Sequence, residues 1–250
     1  MQQSYFKMKK ILAYPLSILS YFCFFLTLVI FHVVQWFCFT FIGKEAHKTS
    51  VDIFNFTLMR CLNILGTTFS VDNPNDIPTD VPCIFVSNHQ GLYDIPPIIW
   101  YLRKHYPKFI SKKELGKGIP GISYNLRHGG SALIDRKNPK QAVVTISKFA
   151  EYLNKTHHSA VIFPEGTRSR DGRPKKFAET GLQILLKKMP NALVVPLTIN
   201  NSWKLFEYGS FPLGIGHNIQ MKVHKPIPAN SDSISAIIAK VEQTIIADIN

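Results

Sequence analysis

The hydrophobic pattern of the chain changes rhythm twice before it settles. Residues 11–42 carry no formally charged side chain, and only His32 and Gln35 interrupt the run as strongly polar groups. That exceeds the roughly 20 apolar residues a helix needs to span a bilayer. The run is too long for the core of a secretory signal, and no small-residue cleavage site follows it. It predicts a membrane-embedded segment. Lys7, Lys9 and Lys10 precede it, which predicts a cytoplasmic N-terminus. A single crossing would then export the rest of the chain, whereas a segment bent at Pro15 and returning to the same face would retain it.

The next stretch has helical spacing. Phe54, Leu58, Cys61, Leu62, Leu65 and Phe69 recur on one side of residues 51–69, with Asp52, Asn55, Arg60 and Asn63 between them. An amphipathic helix is expected, lying on the membrane or against the rest of the protein. Residues 1–70 thus form an N-terminal membrane region, and the Pro- and Asp-rich residues 71–82 a linker. From residue 83 to 250, short apolar runs alternate with longer helical ones. Strands are expected at 83–87, 108–111, 131–134, 159–163, 193–199 and 219–223, and helices at 94–104, 140–154, 178–188 and 232–248. Asn138-Pro139 opens the second of these helices as cap and first-turn proline. The fold class is α/β: a single domain with a central mixed sheet covered by helices.

Charge narrows the partners. The formal net charge is +13, with 18% of residues charged. Within residues 101–140, ten basic side chains face only Glu114 and Asp135. An anionic partner follows: membrane lipid headgroups or a phosphate-bearing substrate. Nothing resembles a nucleic-acid-binding module, so nucleic acid is not expected. Cys23, Cys38, Cys61 and Cys83 lie in apolar surroundings without metal-knuckle or redox spacing, and read as small hydrophobes. His157-His158 read as surface residues.

Two islands carry candidate chemistry, each directly after a predicted strand, where α/β proteins place their sites. In Asn88-His89-Gln90-Gly91-Leu92-Tyr93-Asp94 the histidine and aspartate are five residues apart. On one helix they would diverge by about 500°. They meet only if His89 stays in the turn and Asp94 enters the first helical turn, where its carboxylate would orient the imidazole as a general base. In Phe163-Pro164-Glu165-Gly166-Thr167-Arg168-Ser169, Arg168 can grip a phosphate bidentately. Thr167 and the backbone near Gly166 add donors. Glu165 would repel phosphate directly, and so orients Arg168 or meets a substrate hydroxyl.

These islands resemble those of the glycerolipid acyltransferases typified by 1-acylglycerol-3-phosphate acyltransferase. Residues 88–94 match the family's Asn-His-x4-Asp motif, although many members carry serine where this chain has Gly91. Gly130 to Arg136 resembles the second motif, residues 163–169 the third, and Val195-Pro196-Leu197 the fourth, a proline within a hydrophobic strand. The resemblance implies that His89, with Asp94, deprotonates the hydroxyl of a lysophospholipid, which attacks an acyl thioester carried by coenzyme A or acyl carrier protein. It implies that Arg136, Glu165, Gly166, Thr167 and Arg168 hold the acceptor phosphate. A thioester is already activated, so no cofactor, metal or covalent nucleophile is called for. The membrane segment would then hold the domain beside its lipid substrates, on the cytoplasmic face.

Rival readings keep the mechanism and change the acceptor to glycerol-3-phosphate, another lysophospholipid or a lyso-ornithine lipid. A lipase would need Gly-x-Ser-x-Gly, which is absent from the sequence. A non-enzymatic basic membrane-surface protein would explain the charge but not the ordered polar islands.

Overall fold

The computed structural model describes residues 2–250, with side chains from Lys7 onward. Helix α1 runs from Gln2 to Phe37 without a break at Pro15. The expected bend lies instead at a π-helical turn, Cys38–Ile42, and at Gly43, whose φ of 129° suits glycine alone. Helix α2, Lys44–Asn63, returns along α1: Ser20 Oγ donates to the Cys61 carbonyl at 2.9 Å, and Phe31 lies against Phe54. Residues Lys7–Ile42 are long and apolar enough to cross a membrane.

The side chains of α1 are arranged inside out. Ala13, Ser17, Ser20, Thr27 and Gln35 are buried against the protein, while Ile18, Phe22, Phe25, Val29, Ile30 and Val33 are exposed. Small residues allow close helix approach, and an apolar outer face suits lipid rather than water. The helix also touches the catalytic region along its length. Ser17 Oγ accepts from the Leu213 N–H at 2.8 Å, Tyr21 donates to the Ser210 carbonyl, and His32 Nδ1 accepts from the Gly121 N–H. The core reading of the second segment is the one observed, since Val51, Phe54, Leu58 and Leu62 of α2 are buried.

That second segment begins and ends earlier than the expected 51–69. α2 ends at Asn63, and residues Thr68–Asp72 form β1, an edge strand pairing in parallel with β7. The chain enters the sheet where helix tail and linker were expected. Leu65 and Phe69 continue the helical spacing by coincidence.

The remaining elements follow the predicted order. They are β2 (Cys83–Ser87), α3 (Ile95–Tyr101), β3 (Pro107–Lys112), α4 (Ile122–His128), β4 (Ala132–Ile134), α5 (Pro139–Thr156), β5 (Ser159–Ile162), α6 (Thr180–Lys188), β6 (Leu193–Asn200), β7 (Asn218–Val223), β8 (Ile227–Pro228) and α7 (Ile234–Ala247). Asn138 caps α5 as read, its side chain accepting from the Gln141 N–H at 3.1 Å. The short helix α4, between Gly121 and Gly129, was not foreseen.

The sheet runs β1-β7-β6-β2-β5-β3-β4, with β8 beside β6. It is mixed: β6 pairs antiparallel with β7 and β8, and the other pairs are parallel. Both faces of its centre are covered, which is why β2 is buried at every position and reads as an unbroken apolar run. On one face Phe85, Ile98, Leu62 and Leu205 form a core. On the other, Ile84, Val86 and Val194 meet Phe149, Leu153, Leu185, Ile238 and Val241 of α5, α6 and α7.

Pro196 occupies an interior strand without cost to the ladder. Its carbonyl accepts from the His224 N–H, so its missing N–H lies on that same side. There β8 has paired residues 193–194 and β7 begins only at 197. The gap between the two partners is where a proline fits. His158, read as surface, is half-buried and stacks on Tyr106 at 4.7 Å. Burial pushes the Cys83 thiol up to about 12, and all four cysteines are free.

Candidate active site

The two islands converge at the C-terminal ends of β2 and β5, adjacent parallel strands in register from Ile84–Ala160 to Val86–Ile162. When β2 ends, its role in the ladder passes to a side chain. The Asn88 carboxamide donates to the Ile199 carbonyl at 2.8 Å and accepts from the Ile199 N–H at 2.7 Å. This keeps the loop pinned to β6 one step beyond the strand. His89 follows in the turn, and Leu92–Asp94 forms a single 3-10 turn leading into α3. Pro96 and Pro97 fill the first turn of α3, where missing N–H groups cost nothing.

His89 and Asp94 meet as the spacing required, with Nδ1 2.8 Å from Oδ2. Asp94 is 0% exposed, and the His89 side chain 17%. The same Oδ2 accepts from the N–H groups of Gln90 at 2.7 Å and Gly91 at 2.9 Å. The Ser202 hydroxyl donates to Oδ1. A fully buried carboxylate is tolerable only when its lone pairs are met in this way. The tautomer consistent with this geometry has Nδ1–H donating to Asp94, leaving Nε2 as the basic nitrogen. The imidazole plane is held by Phe163, stacked at 4.2 Å between ring centres.

Glu165 does something the sequence did not suggest. Its Oε1 accepts from the His89 N–H at 2.9 Å and its Oε2 from the Lys175 N–H at 3.2 Å. It therefore straps the two islands together and has no recorded bond to Arg168. Burial raises its pKa above the ordinary value, and the two backbone N–H groups and the charges of His89 and Lys175 pull it back. A second strap runs the other way, from the Ser169 N–H to the His89 carbonyl at 2.7 Å.

The remaining predicted residues sit on the same loop or one bond from it. Gly166 has φ 68°, and its carbonyl accepts from the Arg136 guanidinium, which brings the second motif to the third. Thr167 and Arg168 are exposed, and the Arg168 carbonyl accepts from Lys175 Nζ at 2.8 Å. Arg136 and Lys175 thus bond to the loop that carries Arg168 and is strapped to His89. Lys175 and Ser202 escaped the sequence reading because neither lies in a recognisable motif. Only folding shows that they belong here.

Comparison with known proteins supplies the family. A family model described as Acyltransferase matches residues 68–200, from β1 through β6. The chain belongs to that acyltransferase family. A chloroplast 1-acyl-sn-glycerol-3-phosphate acyltransferase from Arabidopsis thaliana is 33% identical over 159 residues, 63% of this chain and 43% of the relative. One from Helicobacter pylori is 36% identical over 126 residues, 49% of this chain and 50% of the relative. This chain therefore spans half or less of the length of these curated relatives. A crystal structure of a 1-acyl-sn-glycerophosphate acyltransferase from Thermotoga maritima superposes with a TM-score of 0.78 at 25% identity, covering 97% of this chain and 95% of that one.

Proposed function

We propose that this protein transfers a fatty acyl group from an acyl thioester to the free 2-hydroxyl of 1-acylglycerol-3-phosphate, giving phosphatidate. The observation that carries this reading is the His89–Asp94 pair, with Nδ1 held by a buried carboxylate and Nε2 left as the base. His89 Nε2 takes the proton of the acceptor hydroxyl as its oxygen attacks the thioester carbonyl carbon. The tetrahedral oxyanion collapses, the C–S bond breaks, and the proton returns to the leaving thiolate. Orientation and proton transfer suffice because the thioester is a reactive donor.

Arg136 and Arg168 are the groups for the acceptor phosphate, as exposed guanidinium groups anchored to the loop that also anchors His89. Glu165 serves this as the strap beneath them rather than as a phosphate contact. The donor is acyl-coenzyme A or acyl carrier protein. Both are anionic and suit the basic surface. The exposed apolar face of α1 lies in the membrane, while its other face stays docked on the domain from Ala13 to His32. A helix so docked along its length embeds from one side, without crossing, and keeps the domain on the cytoplasmic face beside both substrates.

The test is acyl transfer by purified protein in micelles containing radiolabelled 1-acylglycerol-3-phosphate, with each donor in turn and His89→Ala as control. Phosphatidate formed by the unmodified protein and not by His89→Ala is expected. Equal product from both would remove His89 as the base. Folded protein that acylates only glycerol-3-phosphate or a lyso-aminolipid would replace the acceptor.

A further inference from the structure

Ser202 lies outside every motif, yet it touches the centre of the site. It follows β6 and opens a 3-10 turn, Ser202–Phe206, after Asn201 at φ 70°. Its side chain is fully buried, and its hydroxyl is the one side-chain O–H donor to Asp94 among the described residues. The same short turn reaches the rest of the site. Phe206 stacks on Tyr93, the neighbour of Asp94, at 5.7 Å and 11°. Trp203 covers Gly172 so closely that a side chain at 172 would collide with the indole. One turn therefore bears on the His-Asp loop and on the loop that carries Arg168.

The space around Gly91 completes the picture. Gly91 sits at φ −152°, extended backbone open to any residue, so its conformation does not call for glycine. A Cβ at that position would lie 3.1 Å from Ser202 Oγ, 3.4 Å from the Ser202 carbonyl oxygen and 3.6 Å from the Phe206 ring. A side chain at 91 would press on the Ser202 hydroxyl, which would have to give by a few tenths of an ångström. A hydroxyl carried by residue 91 would start from beside Ser202 Oγ, next to the same carboxylate.

We propose that Ser202 is a positioning residue for the catalytic pair: its hydroxyl fixes Asp94 Oδ1, which turns Oδ2 toward His89 Nδ1, and glycine at 91 leaves that hydroxyl uncrowded. This rests on the acyl-transfer reading of the site. Asp94 already has three N–H donors on Oδ2, so Ser202 acts on the orientation of the carboxylate, and through it on His89.

The experiment compares the unmodified protein with Ser202→Ala, Gly91→Ser and the double variant Gly91→Ser/Ser202→Ala. Turnover and KM are read in micelles, and the His89 ring resonance by NMR of protein labelled at histidine, assigned with His89→Gln. Ser202→Ala is expected to lower kcat about tenfold or more, the loss that goes with a hydrogen bond to a charged group, with KM within about twofold. Its His89 resonance shifts. Gly91→Ser alone is also impaired, by crowding. The double variant returns kcat to within about threefold and restores the resonance, because the hydroxyl has been relocated.

A double variant no better than Ser202→Ala, or an unmoved His89 resonance, would overturn the proposal. So would a loss confined to KM. Absence of acyl transfer in the unmodified protein, with the resonance pattern as expected, would instead remove the acyl-transfer reading and leave the Ser202–Asp94–His89 coupling standing. Should Ser202→Ala not fold, Ser202→Cys keeps the shape with a weaker donor and is expected to show the same losses to a smaller degree.

Discussion

Replacing Asp94 by asparagine separates charge from shape in the catalytic pair. Asp94 is fully buried and takes N–H donors from His89, Gln90 and Gly91 on Oδ2 and the Ser202 hydroxyl on Oδ1. A carboxamide keeps one acceptor oxygen. Placed at the Oδ2 position, that oxygen still faces three donors, and the amide NH2 meets Ser202, whose oxygen can turn to accept. The constellation is therefore retained, but four charge-assisted bonds become neutral ones. At about 1 kcal/mol each this costs about 4 kcal/mol of stability. The larger effect is on the reaction, because the imidazolium formed as His89 takes a proton loses its counter-charge. The usual contribution of general-base catalysis, about 10²–10⁴-fold, sets the scale, so kcat should fall at least about 100-fold, or about 2.7 kcal/mol. Phosphatidate formation measures this, with a thermal melt beside it. Turnover within threefold of the unmodified protein, accompanied by a lowered melting temperature, would show that Asp94 only holds the loop and would refute the pair as base and orienter.

Three further outcomes are expected. Arg168→Ala should raise KM for the lysophosphatidate acceptor about tenfold or more with kcat nearly unchanged, as loss of a charged phosphate contact would do, and an unchanged KM would detach Arg168 from the phosphate. His47 and His158 both have pKa values lowered from 6.5 to about 4, chiefly by burial and then by the charge of Lys108. Their neutral forms are thus favoured in the fold, and stability should be full above pH 6.5 and fall as pH drops toward 4; His47, 3% exposed, accounts for at most about 3 kcal/mol, so His47→Phe should flatten the melting temperature between pH 7 and 4.5, and parallel curves would contradict this. Phe25→Glu, on the outer face of α1, should weaken vesicle flotation without lowering the melting temperature in detergent, whereas Ser20→Glu on its buried face should unfold the protein; equal flotation of Phe25→Glu would move the lipid contact elsewhere.

The legible parts of this chain were those in which sequence neighbours act together. The apolar run of β2 and the Asn138-Pro139 start of α5 needed no tertiary information. The five-residue spacing of His89 and Asp94 already implied a turn followed by a first helical turn, and that is how they meet. What depends on distant partners was not legible. Glu165 was expected to orient Arg168 or meet a substrate hydroxyl because it would repel a phosphate, but it accepts from the N–H groups of His89 and Lys175. β1 was hidden because its side chains are half-exposed and Leu65 and Phe69 carried the preceding helical phase into it. Pro15 suggested a bend, yet α1 runs through it unbroken with the ring on the exposed side, and the chain reverses only at residues 38–43.

The docking of α1 also bears on how the protein is made. Ser17 and Tyr21 find their partners in Leu213 and Ser210, separated from them by 196 and 189 residues of chain. During synthesis α1 is made long before those partners exist. At about 5–20 residues per second, translation leaves its small polar stripe waiting on the order of ten seconds or more, with α2 as its first protein neighbour. A chain stalled before residue 210 would therefore hold α1 and α2 together but lack the contacts that dock α1 on the sheet domain.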